Sequence, residues 1–179
     1  MRISSKNYVF TLALLSLAGV AIAIANTSAN ASASDSNPLV GVWQMDAITL
    51  QRPDGASTNT EPQPGLFIFT PDHYSIAWIP RPDPRPSFAT PWKPTPEETQ
   101  RAYGTILFNS GSYELDGKTL TTRPLLSKVP DLSGGHAVYE YRVENDVLWL
   151  TMIDEYAADG SRAPWVGNVS FPLKLARLE

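Results

Sequence analysis

The chain has 179 residues and a formal net charge of -4, with 18 acidic and 14 basic residues. This acidic balance argues against binding to nucleic acid or to anionic membrane surfaces, which both attract basic proteins. There is no cysteine, so disulfide bonds and a lipid-modified N-terminal cysteine are excluded, and stability must come from core packing.

The N-terminal segment has the order of a secretory signal peptide. Arg2 and Lys6 give a short positive region, residues 8–24 are apolar and uncharged, and small residues follow. We therefore predict a signal peptide over residues 1–31 that is cleaved near residues 25–33, and a periplasmic or secreted location. The apolar run approaches the length of a membrane span, so a retained anchor is the alternative. The small-residue motifs favour cleavage, after which we expect no stable membrane insertion.

A flexible leader over residues 32–38 is predicted to precede one domain over residues 39–179, a length that can bury a real core. The first strand is predicted from about Val40 to Leu50, where Gly41 lets a neighbouring backbone approach closely. Alternation along this strand predicts one buried face, formed by Trp43, Met45, Ala47 and Thr49.

A turn at residues 52–55 and a polar loop over residues 56–64 are predicted next. Two short apolar segments, residues 65–70 and 74–79, flank the turn residues 71–73 and predict a hairpin.

Residues 80–96 hold seven of the 16 prolines, which indicates an extended segment without sheet hydrogen bonds. We predict a long proline-rich loop across one end of the domain. One interpretation is a lid with Phe88 and Trp92 facing inward, and the other is a plain covering loop.

One short helix is predicted after this loop. Thr95 is suited to the N-cap, Pro96 to the first helical position, and Glu98 completes a capping box with Thr95. Apolar residues from Tyr103 to Leu107 share one helical face, so the helix is expected to end near Phe108.

The rest of the chain alternates strands and turns, with strands predicted over residues 112–115, 119–127, 136–144, 147–153 and 169–178. Because proline has no backbone N–H, Pro172 requires a bulge or a missing ladder hydrogen bond in the last of these strands. About eight strands joined mostly by short turns predict an all-β fold, an antiparallel up-and-down barrel with one short helix, because closure removes exposed edges. A barrel of this size is filled by side chains or holds one small ligand.

Aromatic residues and arginines on the predicted strands and loops supply the candidate ligand contacts: Trp78, Phe88, Arg123, Tyr139, Tyr141 and Trp165. A cavity lined by aromatic side chains with a few polar groups suits a small ligand. The alternatives are core packing for the aromatic residues and a surface ion pair with Glu114 for Arg123. Asp154 and Glu155 are interpreted as a solvated turn.

The sequence contains no motif that assigns a reaction. His73 and His136 lack the neighbours that a zinc site requires, and neither a nucleophile elbow nor a phosphate-binding loop is present. We therefore assign no catalytic residue, no metal and no cofactor.

Four segments together resemble the bacterial lipocalin-like domain family, within the calycin group of ligand-binding barrels: Gly41-Val42-Trp43, residues 64–75, Gly111-Ser112-Tyr113 and residues 141–150. The resemblance covers most of the predicted domain and implies an antiparallel barrel. In calycins an arginine near the end of the chain packs across the first-strand tryptophan. The resemblance therefore implies that Arg177 lies over Trp43, closes one end of the barrel and has a structural role.

Three functions remain open, because a fold does not determine a function. The first is binding of a small apolar or aromatic molecule without chemistry, with no partner other than that ligand. The second is an enzyme on the same scaffold, a cyclase, isomerase or hydratase of a hydrophobic substrate, which an inward carboxylate with a perturbed pKa would favour. The third is a structural barrel without a cavity. The oligomeric state stays open.

Overall fold

The computed structural model describes residues 37–179, so the predicted signal peptide over residues 1–31 lies outside the described residues. Within residues 37–179 the elements are, in order, β1 Gly41–Arg52, β2 Gly55–Asn59, β3 Gly65–Phe69, β4 His73–Trp78, α1 Pro96–Gly104, β5 Leu107–Asp116, β6 Thr119–Ser127, a 3-10 turn Pro130–Leu132, β7 His136–Glu144, β8 Val147–Tyr156 and β9 Leu173–Arg177. No helix in this part of the chain is both long and apolar enough to cross a membrane.

Eight of the nine described strands close into an antiparallel barrel. The order is β1-β3-β4-β5-β6-β7-β8-β9, and β9 pairs back with β1. The predicted barrel is therefore confirmed. The prediction of a loop over residues 56–64 is wrong in its first part, because the second half of β1 offers a free edge on which β2 pairs, with Arg52 opposite Gly55.

The helix α1 begins as predicted and is shorter than predicted. Thr95 Oγ1 accepts a hydrogen bond from the Glu98 backbone N–H at 3.3 Å, and Glu98 Oε2 accepts one from the Thr95 backbone N–H at 2.9 Å. The helix ends at Gly104 rather than near Phe108, because Phe108 belongs to β5 and pairs there with Ala77.

Within residues 37–179, three β-bulges interrupt the ladders. Each inserts one residue that has no partner on the adjacent strand: Asp46 in β1, Leu125 in β6 and Ile153 in β8. Since side chains alternate with a period of two, an extra residue reverses which positions face inward beyond it.

The first bulge corrects the predicted buried face of β1. Trp43 and Met45 are buried as expected. Beyond the bulge the prediction is wrong for Ala47 and Thr49, and it is Ile48 that packs against the core.

One end of the barrel, where β1 begins and β9 ends, is closed by a stacked pair. The Arg177 guanidinium lies 4.0 Å from the centre of the fully buried Trp43 ring. Its Nη1 and Nη2 donate to the carbonyl oxygens of Val40 and Pro38 at 2.8 and 2.9 Å, while Trp43 Nε1 donates to the Leu39 carbonyl at 2.8 Å. The expected placement of Arg177 over Trp43 is confirmed, and we call this part of the molecule the closed end.

Gly41 is required at the closed end. Its φ of 139° favours glycine, and a Cβ atom there would collide with the Arg177 guanidinium and the Glu179 backbone. Around this end the barrel is filled by side chains that are almost completely buried: Trp43, Phe69, Leu120, Leu148, Leu150 and Leu175.

Candidate functional site

The opposite end of the barrel contains a cavity of about 210 Å³, which we call the barrel cavity. It lies where β4 ends at Trp78, β5 begins at Leu107 and β9 begins at Leu173. Its walls are mainly apolar and aromatic, and the lining side chains are those of Phe67, Ile76, Trp78, Pro80, Leu107, Phe108, Asn109, Ser127, Lys128, Val129, Leu132, Tyr139, Met152, Glu155, Trp165, Phe171 and Leu173.

Residues 157–172 pass over this cavity, and we call them the covering loop. Arg162 anchors the loop to β8 through two hydrogen bonds, from Nε to Asp154 Oδ1 at 2.7 Å and from Nη2 to Oδ2 at 2.9 Å. The Arg162 guanidinium lowers the pKa of the Asp154 carboxyl. Trp165 and Phe171, 6.2 Å apart in an edge-to-face arrangement, are the aromatic side chains that the loop contributes to the cavity.

Lys128, after the end of β6, attaches α1 to the same end of the barrel. Its Nζ donates to the backbone carbonyls of Tyr103 and Ile106 at 2.8 and 2.7 Å, and lies 4.5 Å from the Tyr103 ring centre. Burial lowers the pKa of the Lys128 ammonium group. The charge of Lys128 is thus committed to the backbone of the α1–β5 connection.

Three neighbouring polar side chains, Asn109, Tyr139 and Glu155, line one side of the cavity, and we call them the polar wall. Glu155 Oε2 accepts a hydrogen bond from Trp165 Nε1 at 3.3 Å. Burial raises the pKa of the Glu155 carboxyl, and the hydrogen bond from Trp165 opposes that shift. Burial also raises the pKa of Tyr139. Asn109 Oδ1 is buried and has no hydrogen-bond partner within residues 37–179.

The bulge in β8 brings Glu155 to this wall. Met152 pairs with Tyr139 and Glu155 pairs with Ala137, so a step of three positions along β8 matches a step of two along β7. Because Ile153 is the unpaired extra residue, the Glu155 side chain points inward, as that of Met152 does. The interpretation of Glu155 as part of a solvated turn is therefore wrong.

The bulge in β6 has the same effect on the other side. Gly111 pairs with Pro124, Leu125 has no partner, and Ser127 pairs with Asn109. Ser127 consequently lines the cavity beside Asn109, which faces inward by regular alternation along β5 with the buried Tyr113, while Leu125 is 85% exposed.

The structure brings three of the six predicted ligand contacts together in the barrel cavity: Trp78, Tyr139 and Trp165. It places the other three elsewhere. Arg123 lies on the outside of β6, with its Nη2 3.7 Å from Glu114 Oε2. Tyr141 faces the interior nearer the closed end, and its hydroxyl donates to the Gly117 carbonyl at 3.1 Å.

Phe88 lies on the outer surface, as does most of the proline-rich loop. It lines a groove of about 450 Å³ with Arg85 and Trp92 of the loop and Arg101 of α1. Trp92 is 96% exposed, so the prediction that it faces inward is wrong. Of this loop, Pro80 lines the barrel cavity.

The outer groove is the larger of the two spaces, but it is open to solvent. The barrel cavity is less open to solvent than the groove, and it combines apolar walls with a few convergent polar groups. Small-molecule sites have this second character, so we take the barrel cavity as the candidate site.

Sequence reasoning missed Asn109, Glu155, Met152 and Phe171 as lining residues. Asn109 and Glu155 lay outside the predicted strands, because the prediction began β5 at residue 112 and ended β8 at residue 153. Pro124 was an available signal for the bulge in β6 that turns Ser127 inward, since a proline inside a strand indicates a bulge or a missing ladder bond.

Comparison with known proteins gives one match. The sequence model of the lipocalin-like domain matches residues 40–167, a range that includes β1 to β8 and the lining residues up to Trp165. No curated protein and no solved structure matches the chain significantly.

Proposed function

The chain belongs to the lipocalin-like domain family, and we propose that it binds one small, mainly apolar or aromatic molecule in the barrel cavity. The observation that carries this proposal is the space of about 210 Å³ between aromatic and aliphatic side chains at one end of the barrel. A barrel that is filled by its own side chains would not leave such a space, so the cavity argues against a purely structural role.

The size of the cavity limits the ligand. Pockets for drug-sized molecules measure about 300–1,000 Å³, and the barrel cavity is smaller, at about 210 Å³. We infer a ligand with one or two rings, or a short branched chain, rather than a long lipid.

Native mass spectrometry of the protein purified from its own host tests the proposal. We expect a species whose mass exceeds that of the polypeptide by one small molecule. The Leu173→Phe variant, which places a larger side chain in the cavity, should lack that species. A wild-type spectrum that contains only the bare polypeptide, in protein that is folded, would contradict the proposal.

A second function is favoured by one specific observation. Glu155 is an inward carboxyl with a raised pKa beside an apolar cavity, and such groups are candidates for general acid–base catalysis. Under this alternative, Glu155 would move a proton on a bound hydrophobic substrate in an isomerisation, cyclisation or hydration.

The Glu155→Gln variant separates binding from catalysis, because glutamine keeps the shape and the hydrogen-bond acceptor but cannot transfer the proton. If the protein only binds, wild type and variant co-purify with a molecule of the same mass and structure. If it is an enzyme, the variant retains a different molecule, the unconverted substrate.

We also propose that the protein acts outside the cytoplasm after cleavage of residues 1–31. The support is the order of charged, apolar and small residues at the N-terminus. N-terminal sequencing of the protein from host cell fractions should give a first residue near positions 25–33. A full-length chain recovered from the membrane fraction would show a retained anchor instead.

A further inference from the structure

We infer that the ligand of the barrel cavity carries a hydrogen-bond donor, a hydroxyl or an amine, on its apolar body, and that the site rejects carboxylic acids. This inference rests on the proposed binding function and adds the chemical class of the ligand. The polar wall is the observation that carries it.

Asn109 contributes the first acceptor. Its Oδ1 is buried in the wall and has no partner among residues 37–179. A buried polar atom without a hydrogen bond is costly and is usually satisfied by a donor. Because Oδ1 itself has almost no accessible surface, a ligand donor satisfies it after the Asn109 amide turns toward the cavity that this side chain lines.

Glu155 contributes the second acceptor. Of its two carboxyl oxygens, Oε2 accepts the Trp165 indole N–H, and the described part of the chain supplies no hydrogen bond to Oε1. A carboxylate accepts about four hydrogen bonds, so it retains unused acceptor capacity toward the cavity. The neighbouring Asp154 is not available, because Arg162 holds it in two hydrogen bonds outside the wall.

The charges around the cavity disfavour an anionic ligand. Lys128 is the cation among the described lining residues, and its ammonium group already donates to the carbonyls of Tyr103 and Ile106. A ligand carboxylate would therefore face the Glu155 carboxyl without a free counter-charge, and two carboxyl groups in a desolvated site cannot both ionise without strong repulsion.

Four probes that share one ring system test this selectivity: 2-naphthol, (2-naphthyl)methylamine, 2-methylnaphthalene and 2-naphthoate. Their dissociation constants for the wild-type protein are measured by equilibrium dialysis at pH 7. We expect the alcohol and the amine to bind about tenfold more tightly than 2-methylnaphthalene, the gain of one net hydrogen bond. The carboxylate should bind about tenfold more weakly than 2-methylnaphthalene.

Two variants assign the selectivity to the wall. Asn109→Leu should reduce 2-naphthol binding about tenfold and leave 2-methylnaphthalene unchanged. Glu155→Gln should improve 2-naphthoate binding about tenfold, because it removes the like charge. The matched control is Glu140→Gln, an exposed position on β7, which should leave all four constants unchanged.

The outcomes are distinct. If the four probes bind with equal affinity, or if 2-naphthoate binds most tightly, the inference is overturned while binding in the cavity stands. If none of the four binds to folded wild-type protein, the proposed function fails and the inference fails with it. Because the probe series uses the wild-type chain, the test does not depend on the folding of either variant.

Discussion

The two ends of this barrel are built from the same strands and hold different contents. At the closed end, Trp43 is fully buried under Arg177. The Trp43 indole N–H and two nitrogens of the Arg177 guanidinium donate to backbone carbonyls. At the other end the strands enclose about 210 Å³ of space, and Asn109 Oδ1 has no partner within residues 37–179. The comparison teaches that dense packing and free space are separated along the barrel axis.

The bulges explain how one set of strands makes two kinds of interior. Regular alternation supplies the aliphatic and aromatic residues that fill the closed end. The unpaired Leu125 and Ile153 lie beyond that region, and after them the inward positions are Ser127 and Glu155. Each bulge thus turns a polar side chain toward the cavity where alternation alone would place it outside.

The largest expected difference between the ends comes from truncating one tryptophan at each. Trp43→Ala should lower the free energy of unfolding by about 3–5 kcal/mol, because it removes a fully buried indole and leaves a cavity. Trp165→Ala, on the partly exposed covering loop, should cost less than about 2 kcal/mol. Urea unfolding of both variants measures this, and equal costs would break the proposed division between the ends.

The next comparison concerns two arginines that each cover a tryptophan. Arg177→Met should cost about 2 kcal/mol, since it removes a cation–π contact and hydrogen bonds to two backbone carbonyls. Arg142 lies 3.9 Å from the Trp149 ring on the outer surface, and Arg142→Met should cost less than about 1 kcal/mol. A larger loss for Arg142→Met in thermal melts would contradict a special role of the closed end.

Two leucines on the same face of β9 sharpen the comparison further. Leu175→Phe should destabilise by about 1–3 kcal/mol, because Leu175 has no accessible surface and the closed end has no room. Leu173→Phe, which extends into the cavity, should change stability by less than about 0.5 kcal/mol and abolish 2-naphthol binding. If both substitutions are equally destabilising, the space at Leu173 is not available in solution.

The smallest effects are pH-dependent and have opposite signs at two adjacent acids. The pKa of Glu155 is raised above its ordinary 4.5, so its contribution to stability is complete below that pH and is lost as pH rises through the folded value. The stability of wild type relative to Glu155→Gln should therefore fall as pH increases above 4.5.

Asp154 provides the control for that sign. Its pKa is lowered below 3.8, first of all by the hydrogen bonds from Arg162, so its contribution is present above pH 3.8 and is lost as pH falls through the folded value. The stability of wild type relative to Asp154→Asn should fall toward low pH. Parallel pH profiles for the two variants would contradict the inward placement of Glu155.

Much of the fold could be predicted from the sequence, because it depends on local patterns. The capping box at Thr95 and Glu98 gave the start of α1, and alternation in residues 136–144 matches β7 as observed. The contact between Arg177 and Trp43 followed from the family resemblance and is confirmed.

The site was less accessible to sequence reasoning, since it depends on where alternation is broken. Trp78, Tyr139 and Trp165 were selected as aromatic residues and lie in the cavity. Glu155 was not, because the unpaired Ile153 decides its direction. Asn109 was not, because β5 begins at Leu107 whereas the strand was predicted from residue 112. One of the two interpretations of the proline-rich loop placed Phe88 and Trp92 inward. The covering loop that reaches the cavity is instead residues 157–172, fixed by the ion pair of Arg162 with Asp154 eight residues before it.

The two methionines of the barrel report on its two parts, and their methyl NMR signals test the central claim most directly. Met152 lines the cavity, whereas Met45 is buried beside Leu175 and does not line it. On titration of ¹³C-methyl-labelled protein with 2-naphthol, we predict a saturable shift of the Met152 signal and a much smaller change at Met45. A Met152 signal that does not move, or a larger shift at Met45, would contradict the assignment of binding to the cavity and of stability to the closed end.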